Sequence, residues 1–65
     1  MTFIKLNRLS DKIIFISPVS ITTLFKIDIG TTVSFVNDDP IFVKETPEEI
    51  LLLIRENEQN ELHNK

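Results

Sequence analysis

Sixty-five residues make at most one domain, and 42% hydrophobic with 26% charged residues is the mixture of a folded chain rather than a disordered one. With no cysteine there is neither a disulfide framework nor a thiolate metal site, and no apolar run approaches the roughly 18 residues that span a bilayer. The formal charge of −3 divides into +1 over residues 1–44 and −4 over residues 45–65, so the chain lacks the positive footprint of a general nucleic-acid or anionic-membrane binder.

Ten isoleucines head a set of 20 Ile, Val and Thr residues, whose stiff β-branched side chains suit a pleated sheet. Residues 2–8 alternate, with Ile4 and Leu6 on one face and Phe3, Lys5 and Asn7 on the other, as in a half-buried strand. Leu9, Ser10 and Asp11 break it, since Ser and Asp side chains bond back to nearby backbone. Residues 12–17 (K-I-I-F-I-S) are apolar on both faces, which predicts cover on both. Pro18 ends that strand. Residues 20–29 form the next, with Ile21, Thr23, Phe25 and Ile27 on one face and Thr22, Leu24 and Lys26 on the other. Gly30 supplies the positive-φ position before residues 31–36, which place Val33 and Phe35 inside. The Asn37-Asp38-Asp39-Pro40 turn leads to a last short strand at residues 41–45.

There the period changes. Thr46-Pro47-Glu48-Glu49 is a capping box with proline at the first helical position, and the glutamates complement the helix dipole. Ile50, Leu53 and Ile54 then form an i, i+3, i+4 stripe, while Leu51 and Leu52 lie off its centre. The helix is predicted from residue 47 to between 57 and 61, with 62–65 a tail. The fold class is α+β and mostly β: a small antiparallel sheet or half-barrel of about five short strands, then one C-terminal helix. Residues 1–61 form the single domain. Nothing at the N-terminus combines a basic segment with a long apolar one, so a cytoplasmic location is expected.

No motif of catalysis or cofactor binding is visible, and the expectation is a non-enzymatic chain without cofactor or metal. The one histidine, His63, falls in the expected tail, where it reads as solvated and inert. Asp38 and Asp39 are adjacent in a turn and point apart, and a lone glycine before Thr31 and Thr32 matches no phosphate cradle. The glutamates after residue 47 read as a solvated helix face. What stands out is surplus apolar surface. Leu51 and Leu52 add to a helix that already has its stripe, and Ile14 and Ile16 lie opposite Ile13 and Phe15. Either one sheet curls over the helix and hides all of it, or Ile14, Ile16, Leu51 and Leu52 belong to an oligomer or partner interface. A domain of this size buries only about 60% of its unfolded surface, which makes a second copy or a partner the expected stabiliser.

Residues 3–9 (F-I-K-L-N-R-L) resemble the opening of the small flagellar FlbD family, also called swarming motility protein SwrD, which begins I-x-L-T-R-L-N-G. Residues 42–50 (F-V-K-E-T-P-E-E-I) are similar to that family's V-K-E-S-x-E-E-V/I block, and residues 30–38 (G-T-T-V-S-F-V-N-D) to its D-T-V-I-T-L-x-N-G hairpin. The likeness covers about residues 3–54. Asn7 stands where the family has threonine, Ser10-Asp11 where it has Asn-Gly, and Asp38 where it has glycine. The resemblance implies an accessory role in flagellar motility, supporting motor power, with no enzymatic activity and no assigned site residues. A second resemblance is to the carbon storage regulator CsrA, a dimeric RNA-binding regulator with five strands and a C-terminal helix. It rests on Leu6-Asn7-Arg8 and Glu48-Glu49-Ile50, and it implies RNA contacts by Arg8 and Lys44. Pro47 departs from the basic residue CsrA has before its E-E-I. Size and acidity also fit a third class, a phage or mobile-element inhibitor that occludes a partner's surface.

Overall fold

The structure, a computed structural model, describes residues 3–63, with side chains as far as residue 58. Five strands and a helix follow in chain order: β1 (Ile4–Asn7), β2 (Ile13–Ile16), β3 (Ile21–Ile27), β4 (Gly30–Phe35), β5 (Ile41–Val43) and α1 (Pro47–His63). A 3-10 turn at Pro18–Ser20 separates β2 from β3. β1 pairs with β2, and β4 lies between β3 and β5, every pairing being antiparallel. The two sheets join where Arg8 bridges Val43, and there the N–H groups of Lys44 and Leu9 donate to the carbonyls of Asn7 (2.8 Å) and Phe42 (3.2 Å). The spatial order is therefore β2-β1-β5-β4-β3, a curled sheet followed by one helix. This is the small α+β architecture expected from the sequence.

The core is small. Ile4 and Leu6 of β1, Val33 of β4, Val43 of β5 and Ile50 of α1 are buried together. The helix packs on β1 and β3, with Leu53 and Ile54 half-buried beside Ile50, so the i, i+3, i+4 stripe faces the sheet. The capping box forms as the sequence predicts: Thr46 N–H donates to Glu49 Oε1 at 2.8 Å, and Glu49 N–H donates to Thr46 Oγ1 at 3.1 Å. Glu45, just before it, ties three segments. Its carboxylate accepts from Asn7 N–H (3.0 Å) and Asn7 Nδ2 (2.7 Å), while its carbonyl accepts from Thr31 Oγ1 at 2.7 Å. That last bond satisfies a polar side chain with no solvent access.

Two turns need unusual backbone. Asp11 has φ 71° between β1 and β2, a left-handed conformation that aspartate tolerates, and its N–H donates to the Arg8 carbonyl at 2.9 Å. Gly30 has φ 155°, and a Cβ there would run into the Val43 carbonyl.

Several expectations are corrected. β2 is covered on one face only. Its register sets Ile14 opposite Leu6 and Ile16 opposite Ile4, so those two isoleucines turn toward the core while Ile13 and Phe15 stay 53% and 65% exposed. In β3, Ile21 faces Phe35 but Thr23 faces Ser34, which leaves Thr22 as an extra residue. This bulge shifts the alternation, so Leu24 joins Ile21 toward the core and Phe25 is turned out, 65% exposed. Phe35, expected inside, is half-buried. The helix reaches His63, so residues 62 and 63 of the expected tail are helical; good helix formers precede them and no proline or glycine stops the helix. Residues 64 and 65 lie outside the described ones.

Candidate interaction surface

The fold leaves a large share of its apolar side chains outside. Ile13 and Phe15 project from the outer face of β2, where cross-strand pairing sets Phe15 beside Lys5 and Ile13 beside Asn7. On the other sheet, Phe25 and Phe42 flank Thr32 across three strands, and both rings are exposed. On the helix, Leu51 and Leu52 are 57% and 54% exposed and form a shallow depression with Glu48 and Arg55. Two of the four interface residues read from the sequence, Leu51 and Leu52, therefore sit on open surface.

The other two lie in a groove. Ile14 and Ile16 of β2 form one wall, Phe35 of β4 and Ile41 of β5 the opposite one, and Ser17 and Ser20 of the 3-10 turn close the end. Asp38 and Asp39 lie along the rim, and the groove encloses about 410 Å³. It arises because β1 meets β5 only near Arg8 and Val43, so β2 and the second sheet diverge from that joint. The helix fills the interior beside β1 and β3, and the groove is the part it does not fill. Sequence patterning could not reveal this concavity, because its walls come from strands that pair with different neighbours.

A small polar cluster lies at the joint. The Arg8–Val43 bridge sets Arg8 next to the strand that ends at Val43, so Arg8 and Lys44, the two residues of the RNA-binding reading, come from adjoining backbone. Lys44 Nζ forms an ion pair with Asp11. The hydrogen bond from Lys44, and secondly its charge, hold the Asp11 carboxyl below the usual carboxylate range. The left-handed backbone at Asp11 belongs to the tight turn that carries this carboxylate.

Among the described residues, no three His, Cys, Asp or Glu side chains converge as a metal site would require. The His63 side chain lies outside the described ones. Asp38 and Asp39 are both exposed. No helix among the described residues is long and apolar enough to cross a membrane. Comparison of the chain with protein-family models, with curated proteins and with solved structures gives no match.

Proposed function

We propose that this chain is a small non-enzymatic accessory protein that works by contact, in the manner implied by its resemblance to the flagellar FlbD and SwrD family. The observation that carries this reading is the apolar surface. Phe15, Phe25, Leu51 and Leu52 are each more than half exposed, while among the described residues only five apolar side chains are buried. Such surface is costly to leave in water and is what a contact protein presents to another protein. The partner on this reading is a component of the flagellar motor. A host strain lacking the chain should assemble flagella yet swim and spread on soft agar less well, with recovery on complementation. Unchanged motility in that strain overturns the motility role.

One arrangement bears on a second reading, a CsrA-like RNA-binding regulator: Arg8 and Lys44 lie on adjoining backbone at the joint between the sheets. Asp11 offsets one of those two cations, which weakens the positive surface that recruits an RNA backbone. Fluorescence titration with a stem-loop RNA at low salt separates the readings. Tight, salt-sensitive binding that Arg8→Ala abolishes would replace the accessory role with the regulatory one.

A further inference from the structure

We propose that the outer edge of β2 is a self-association site, at which two copies of this chain pair β2 to β2, antiparallel, about a twofold axis. The two edges of the curled sheet are built differently. β3, at one end, carries the Thr22 bulge and a lysine, Lys26, both of which discourage pairing with another strand. β2, at the other end, is Ile-Ile-Phe-Ile, with no charge, proline or register shift, and β1 is its one neighbour among the described residues. An edge of this kind is a template for another strand.

The occupant that fits is β2 itself. Setting Ile14 opposite Ile14 of a second copy places Phe15 opposite Ile13 and Lys12 opposite Ile16. Paired residues in an antiparallel ladder share a face, and alternation keeps Lys12, Ile14 and Ile16 on one side of the strand. That side is the groove, so each copy extends the other's apolar wall and brings Lys12 to a groove rimmed by Asp38 and Asp39. Among the described residues the one ion pair is Lys44 with Asp11, so neither rim aspartate forms an ion pair with any of them. On the outer side, the pairing covers Phe15 and Ile13 with each other, an aromatic against a β-branched residue.

This pairing is independent of the motility role, and each can fail alone. Sedimentation of the full chain at micromolar concentration and near-physiological salt should give twice the 7.5 kDa mass. Phe15→Lys, a change at an exposed ring, should weaken dimerisation at least tenfold. Phe25→Lys makes the same change at an equally exposed ring on the opposite edge strand and should leave the dimer intact. A wild-type monomer at every concentration overturns the proposal and leaves the edge to a strand from a different protein. A dimer lost in Phe25→Lys but kept in Phe15→Lys also overturns it. If Phe15→Lys does not fold, hydrogen exchange of the wild-type chain decides. Protection of β2 amides that rises with protein concentration is expected, and protection independent of concentration refutes the pairing.

Discussion

Thr46 and Glu49 each satisfy a backbone N–H that would otherwise have no partner at the start of the helix. Thr46→Ala removes one of those bonds and should lower stability by about 1 kcal/mol in denaturant titration. Gly30 is less replaceable. Its φ suits no L side chain, and the space a methyl group needs holds backbone rather than a movable side chain. Gly30→Ala should therefore cost upward of about 2 kcal/mol, seen as a lower midpoint with an unchanged denaturant slope. Asp11 gives a pH dependence. Its folded-state pKa lies below the ordinary 3.8, so the ion pair with Lys44 contributes fully above that value and is lost as the pH falls through the lowered one. An NMR titration of the Asp11 carboxyl should show the depressed value, and Lys44→Met should bring it back up. These residues were legible in the sequence as far as their roles are local. The capping box acts within a few positions of itself, and the turn conformations of Gly30 and Asp11 are local too, whereas the Val43 carbonyl against Gly30 and the Lys44 partner of Asp11 come from distant sequence.

For whole elements, legibility depended on whether the pattern was internal to one strand. β1 alternates cleanly, and Ile4 and Leu6 are where that alternation puts them. The helix stripe likewise needs only the 3.6-residue period. β2 carried no such signal, being apolar on both faces, and its inner side is decided by its register against β1. β3 misled because one extra residue at Thr22 turns Leu24 in and Phe25 out, and no sequence feature marks a bulge at a threonine beside a threonine. Energetics follow the same division. Leu6→Ala empties a wholly buried site and should cost about 3–5 kcal/mol in denaturant unfolding. Phe35→Ala widens a groove already open to water and should cost less, about 1–3 kcal/mol by the same measurement. Equal losses at the two positions would mean that the groove is closed by packing in solution.

At the scale of the whole molecule, the sequence signalled a shortage of core and a surplus of apolar surface, but not where the surplus would lie. Its location depends on the divergence of two sheets from one bridge, a long-range property of Arg8 and Val43 that no local pattern encodes. A chain stabilised by a second copy has a melting temperature that rises with its concentration. Differential scanning at several concentrations should show that rise for the wild-type chain and lose it in Phe15→Lys. The Thr22 bulge bears on the state of such assemblies. A chain lacking Thr22 keeps every pairing between β3 and β4, because the extra residue has no partner to lose. Its β3 edge becomes straight, however, and once Lys26 is also replaced the molecule has two unlike open edges instead of one. Two like edges joined about a twofold stop at a dimer, whereas unlike edges join head to tail without closing. The threonine outside the ladder and Lys26 thus together separate a finite assembly from a fibre, and deleting Thr22 with Lys26→Thr should turn a clear solution into one that scatters light.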